Sequence, residues 1–166
     1  MKRVEILRFV LVLTLCYSMA ARAQNESSLS SRVIGALQAK EPDWKPIATI
    51  QNRVPLVASE KTIVVTVWIG PKSSRISEQV DTSIYGVENA EQAAAWLKPL
   101  RTAQVAPGWH TSIYRIGDEG YLAEYKDGNR FEIQFRRGKI VSKIAANDLH
   151  KVREFAKVIV AQIPSD

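Results

Sequence analysis

Cysteine is almost absent from this sequence: Cys16 is the only one in 166 residues, and it lies in an apolar run near the start. One cysteine makes no internal disulfide and no multi-thiolate metal site. Histidine is nearly as scarce. His110 and His150 are the only two, and neither stands in the His-x-x-x-His or Glu-x-x-His spacing that puts two ligands on one helix face. The glycine-bearing catalytic signatures are missing too, with no Gly-x-Ser-x-Gly elbow, no phosphate loop and no dinucleotide fingerprint. These absences predict a protein without cofactor or metal, and with Cys16 confined to the leader read below they exclude thiol chemistry from the mature chain. Long apolar runs are also lacking. The most apolar one, Phe9–Ala20, has 12 residues, against the roughly 20 a membrane-spanning helix needs.

What is present begins with that short run. Lys2, Arg3 and Arg8 precede it, and Ala21-Arg22-Ala23 follows it with small residues at the two positions a signal peptidase inspects. A basic start, an apolar stretch of this length and a small-x-small site together make a secretory signal. Residues 1–23 are therefore read as a signal peptide and the rest as an exported chain, periplasmic or secreted, with no transmembrane segment after cleavage. An uncleaved anchor is the alternative. Lipidation at Cys16 is disfavoured, because Leu15 precedes it where a small residue is wanted. The leader carries four basic residues (Lys2, Arg3, Arg8, Arg22) against Glu5 alone, so its loss takes the formal charge from +6 to +3. That leaves no concentrated basic footprint and makes nucleic acid an unlikely partner. A cysteine-free secreted domain must stand on its apolar core, and the mature length is enough for one domain.

The mature chain reads as a polar, disordered segment over 24–31 and a single α+β domain over 32–166. Ser30 or Ser31 is expected to cap a helix to about Lys40 with Leu29, Val33 and Leu37 on one side. Lys61–Ile69 is dense in β-branched residues and stops at Gly70-Pro71, the pattern of a strand. A second strand follows from about Glu78 to Tyr85, and then a helix capped by Asn89 that ends at Pro99. Strands are expected at 111–116, 121–126 and 139–145, with Asp127-Gly128 as a hairpin turn. Between them, Phe131, Ile133 and Phe135 alternate with Arg130, Glu132, Gln134 and Arg136, predicting one buried and one solvated sheet face. Asn147 is expected to cap a last amphipathic helix. Residues 61–100 and 129–163 both run strand, turn, strand, capped helix. The fold expected is α+β and two-layer, an antiparallel sheet with helices packed on one face, with two ββα halves as its organisation.

Few residues invite chemistry. Trp44 and Trp109 stand beside proline-containing loops, outside the regular elements, and are the candidate ligand-binding aromatics. Arg136-Arg137 forms a basic turn suited to an anionic partner. Asp118 and Glu119 are the acids nearest His110 in sequence. A hairpin puts them about 20 Å apart, too far for a hydrogen bond, and Asp118 is expected to bond its own turn backbone.

Gly117-Asp118-Glu119-Gly120-Tyr121 and Phe131-x-Ile133-x-Phe135-Arg136-Arg137-Gly138, followed by a capped helix, resemble a loose group of exported bacterial α+β domains. These share a Gly-Asp-Glu-x-Tyr turn and a Phe-Arg-Arg-Gly hairpin, and the resemblance covers residues 109–163. It implies an extracytoplasmic sensor or binding module rather than an enzyme. Gly120 departs from the pattern, where alanine is more usual. The shared elements form turns, so no catalytic residue carries over.

Two functions are in play. The first is an exported, non-enzymatic binding or interaction module whose partner is an envelope protein or an anionic envelope component. The second is an extracytoplasmic hydrolase that uses His110 with a carboxylate brought close only by the fold. The leader supplies a first expected outcome. The protein recovered from the envelope should begin at Gln24 on N-terminal sequencing, and an intact Met1 on a membrane-bound form would refute the cleavage site.

Overall fold

The computed structural model describes residues 29–53, 60–71 and 78–165. The expected signal peptide (1–23), most of the polar segment (24–28) and the polar turn at 72–75 lie outside the described residues. Helix α1 covers residues 29–40 and is already helical at Leu29. The expected cap at Ser30 or Ser31 is not where this helix begins. Leu29 lies one turn before Val33 and two before Leu37, and all three are buried on one stripe.

Seven strands follow, all paired antiparallel: β1 (Lys45–Arg53), β2 (Glu60–Ile69), β3 (Gln79–Val87), β4 (Trp109–Ile113), β5 (Glu119–Tyr125), β6 (Phe131–Arg137) and β7 (Ile140–Ala146). The sheet order is β1-β2-β3-β7-β6-β5-β4. Two meanders therefore meet at a central β3–β7 ladder, with β1 and β4 as the two edges. Between the meanders lie α2 (Ala90–Trp96) and α3 (Lys98–Arg101), and α4 (Leu149–Gln162) closes the chain.

The molecule is a two-layer α+β fold. Helices α1 and α4 pack on one sheet face and share one core with it. At its centre Phe155 of α4 meets two indoles edge-on, Trp44 at 5.5 Å and Trp68 at 5.8 Å between ring centroids, a favoured aromatic geometry. The Trp68 indole Nε1 donates to Thr82 Oγ1, and Thr82 donates in turn to the Thr66 carbonyl, so this buried ring leaves its N–H satisfied.

On β3, Val80, Thr82 and Ile84 face this core, and Tyr85 points the other way. There the short α2–α3 segment lies against the end of the opposite face. Trp96 stacks on Tyr85 at 5.2 Å, and Leu97 and Leu100 pack with Tyr121 and Ala123. Pro99 does not end the helical segment as expected. The chain breaks at Leu97 and restarts, placing Pro99 in the first turn of α3, where a missing N–H costs nothing.

This second cover changes the character of β6. Ile133 and Phe135 are fully buried toward α4 as the alternation predicts, and Phe131 is half-buried. The other face is less wet than expected. Glu132 is 9 % exposed, and it accepts from Gln134 and pairs with Lys143 at 2.7 Å. A carboxylate this buried requires a partner, and its neighbour strand supplies one. The last helix is capped by Asp148, whose carboxylate accepts from the amides of His150 and Lys151, rather than by Asn147. No helix among the described residues is long and apolar enough to cross a membrane.

Core placement gives a direct test. Phe155→Ala should cost about 3–5 kcal/mol in urea unfolding, as for other fully buried phenylalanines, while Lys126→Ala on the exposed β5–β6 turn should stay within about 0.5 kcal/mol.

Candidate functional site

The turn between β4 and β5 is built from two glycines that have no room for a side chain. Gly117 has φ +60, and a Cβ on it would collide with the Arg136 carbonyl oxygen. At Gly120 a Cβ would lie 2.5 Å from Ile116 Cγ2 and 2.8 Å from the Tyr114 carbonyl. An alanine at position 120 would displace this loop. Ile116 is the buried apolar anchor beneath it.

Asp118 does not bond its own turn as expected. Its carboxylate reaches the next hairpin, accepting from the Gly138 amide at 2.7 Å and Arg136 Nη1 at 3.3 Å, while its own amide donates to the Arg136 carbonyl at 2.9 Å. The Gly-Asp-Glu turn and the Arg-Arg-Gly hairpin are thereby one interlocked unit. Sequence separation hides this, because the bond spans 20 positions.

The fold divides the two candidate arginines. Consecutive strand residues point to opposite faces. Arg136 lies on the α3 side, tied to Asp118 and at 3.2 Å to Glu119 Oε2. Glu119 also takes two bonds from Arg101, at 3.0 and 2.6 Å, and one from the Tyr121 hydroxyl at 3.1 Å. Arg136 is thus spent on holding α3, β5 and β6 together. Arg137 emerges on the α4 side, where its Nη1 donates to the Val160 carbonyl at 2.8 Å. That partner is neutral and leaves the guanidinium charge uncompensated.

Arg137 lines a cleft of about 480 Å³ with Tyr114, Arg115, Asp118, Lys157 and Val160. Arg115 is exposed and makes no hydrogen bond or ion pair among the described residues. Lys157 pairs only with Glu154, at 3.0 Å, its side chain 63 % exposed. Exposed pairs of this kind are weak. Arg153 adds a fourth cation beside the cleft, 6.0 Å above the Tyr114 ring. Asp118 is the one acid among the described lining residues, and it is already engaged. Arg115, Lys157 and Tyr114 drew no attention in the sequence, since they come from a loop and a helix far apart in the chain, and only the Arg137 neighbourhood carried a signal.

The candidate tryptophans do not come together. Trp44 is buried in the α4 core, 7 % exposed, with Lys151 5.6 Å above its ring. It borders a smaller cleft of about 330 Å³ lined by Glu41, Asp43, Glu78, Asp148 and Lys151. Trp109 is half-buried near the opposite sheet edge, edge-on to its cross-strand neighbour Tyr125 at 5.5 Å, and packs with the α2–α3 cluster. Both act as plugs at the ends of apolar clusters. His110 is exposed on edge strand β4 opposite Glu124, and no carboxylate is bonded to it among the described residues. No group of three or more His, Cys, Asp or Glu able to hold a metal ion occurs among the described residues.

No protein-family model and no curated protein matches the chain. Among solved structures, the crystal structure of a GTP binding regulator from Thermotoga maritima aligns at 15 % identity over 80 % of this chain and 84 % of that one, with a TM-score of 0.48. A likeness that distant carries no argument for this chain.

The Glu119 cluster makes stability depend on pH. Burial by itself raises the Glu119 carboxyl, but hydrogen bonds from Arg101, Arg136 and Tyr121, with the Arg101 charge, outweigh it and hold the group below its ordinary 4.5. A carboxyl lowered on folding adds stability above its unfolded value, and the gain fades as pH falls through the folded one. Glu119→Gln should therefore be less stable than the native protein at neutral pH in urea unfolding. The gap should narrow as pH drops below 4.5. A gap independent of pH would contradict the ionised clamp.

Proposed function

We propose that this chain is an exported, non-enzymatic binding module, and that an anionic component of the cell envelope is its ligand. The observation that carries the reading is the set of cations on one cleft. Arg115, Arg137 and Lys157 converge there from the β4–β5 loop, the end of β6 and α4. None of the three is neutralised by a buried acid: Arg115 is unbonded among the described residues, Arg137 faces a carbonyl, and Lys157 holds one exposed pair. Like charges gathered around a concavity repel one another, and a bound anion removes that cost. Arginine at such a site also offers a planar fork that fits phosphate or carboxylate oxygens two at a time.

The scaffold suits the role. Asp118 and Gly117 fix the loop that carries Arg115 against the β6–β7 turn, so the cations are held before a ligand arrives, which lowers the ordering cost of binding. Export rests on the leader at residues 1–23. The hydrolase alternative has no observation in its favour, with His110 exposed on an edge strand and no carboxylate bonded to it among the described residues.

Titration with glycerol phosphate, followed by amide chemical shifts, tests the site. The expected result is perturbation of residues 114–118, 137–138 and 157–161, with β1 at the far sheet edge unmoved. Arg115→Ala combined with Lys157→Ala should abolish the response without altering the thermal melt, because both side chains are exposed. Shifts scattered over the surface, or a response unchanged in the double variant, would overturn the proposal.

A further inference from the structure

We infer that the ligand of this cleft is a linear polyanion, a chain carrying phosphate groups in series, and that it leaves the cleft along α4 past Arg153. The inference rests on the reading of the cleft as an anion site and adds the class of molecule that the site takes. Arg153 and Lys157 are both exposed and stand four residues apart on α4, which puts them on one face about 6 Å apart along the axis. Three residues further on, the Val160 carbonyl holds the Arg137 guanidinium at 2.8 Å. Three cations therefore form a row along α4 over roughly 10 Å of its axis. Arg115 lines the same cleft from the β4–β5 loop.

The row and the cleft are one surface. The Arg153 guanidinium lies 6.0 Å above the Tyr114 ring, and Tyr114 lines the cleft. Arg153 has no acid partner among the described residues. Two acids stand beside the row, and both are engaged. Asp118 is bound to the Gly138 amide and to Arg136, and Glu154 is bonded to Lys157 at 3.0 Å. The Lys157 bond, with the charges of Lys157, His150 and Lys40, holds the Glu154 carboxyl below its ordinary 4.5 despite a small desolvation cost. The potential around the one acid inside the row is thus positive.

A single phosphate is far smaller than this row and meets one or two of its cations at a time, leaving the others to repel. A chain with a charge on successive units neutralises them all. Each contact after the first is then intramolecular and adds affinity without a second loss of translational freedom. The cleft, at about 480 Å³, also falls within the roughly 300–1,000 Å³ of sites that take whole organic ligands. Nucleic acid is a linear polyanion too, but its single-stranded sites add aromatic platforms for the bases. Tyr114, the aromatic residue of the described lining, already has Arg153 over its ring.

Titration calorimetry decides it, using the protein as the cell processes it and comparing glycerol phosphate, tripolyphosphate and long-chain inorganic polyphosphate. The expected result is affinity that rises with chain length, by roughly tenfold or more from first to last. Each phosphate contact adds about 0.7 to the slope of log affinity on log salt, so the long chain should show the steepest slope. Arg153→Ala should lower the polyphosphate slope by one contact while the amide response to glycerol phosphate persists, and Arg153→Lys should restore it. Both variants should keep the native thermal melt, because position 153 is exposed. Glu154→Gln should tighten polyphosphate binding by releasing Lys157 from its pair. Equal affinity for all three phosphates, or native polyphosphate binding by Arg153→Ala, overturns the inference, and a persisting glycerol phosphate response then leaves the anion cleft standing. Tighter binding to a single-stranded oligonucleotide or to phosphatidylglycerol vesicles than to polyphosphate, at matched phosphate concentration, also overturns it, in favour of nucleic acid or a bilayer. If neither glycerol phosphate nor polyphosphate perturbs residues 114–118 and 157–161, both readings fail.

Discussion

The Asp118 carboxylate holds together the part of this molecule on which its proposed function depends. It reaches across 20 positions of sequence to the Gly138 amide, and its own amide returns a bond to the Arg136 carbonyl. Those contacts lock the β4–β5 loop onto the β6–β7 turn. The geometry works only because Gly117 takes a left-handed conformation with the Arg136 carbonyl where a side chain would be. Arg115 is thereby carried to the rim where Arg137 emerges. Without that lock the cations would sit on two independent loops, and ordering them would cost much of the binding free energy.

A second constraint is the two-residue period of a β-strand. It sends Arg136 and Arg137 to opposite faces of the sheet and gives identical side chains different work. Arg136 joins Arg101 and Tyr121 around Glu119 and fastens α3 to the sheet. Arg137 meets only the Val160 carbonyl near the end of α4 and keeps its charge available. The same helix is electrically two-sided along its length. Acids gather in the cleft near its start, where Lys151 holds Glu41 with two bonds of 2.9 Å, and cations gather toward its end. A surface organised this way orients the molecule in the field of a charged partner.

Much of the fold was legible because local pattern and burial agree. The stripe Leu29, Val33, Leu37 gives α1, the β-branched run gives β2, and the alternation of Ile133 and Phe135 gives the core face of β6. Sequence reasoning went astray where two local signals competed or tertiary cover intervened. Asn147 and Asp148 are both good caps, and the chain uses the second. Pro99 can stop a helix or start one, and here it starts α3. Glu132 reads as a solvated position on β6 until α2 and α3 close over that face.

The candidate site was less legible, for a physical reason. Composition and motif by themselves determined a cysteine-poor α+β domain with few groups suited to catalysis, and a basic turn at Arg136-Arg137. These are properties of residue types and short spacings, which local physics reads out. Which of those arginines is free, that Trp44 and Trp109 plug separate clusters, and that Arg115 and Lys157 join Arg137 were decided only by the tertiary structure. A cleft is made of residues that share no segment, so their meeting depends on strand order and on one long-range carboxylate–amide bond. No local pattern encodes either.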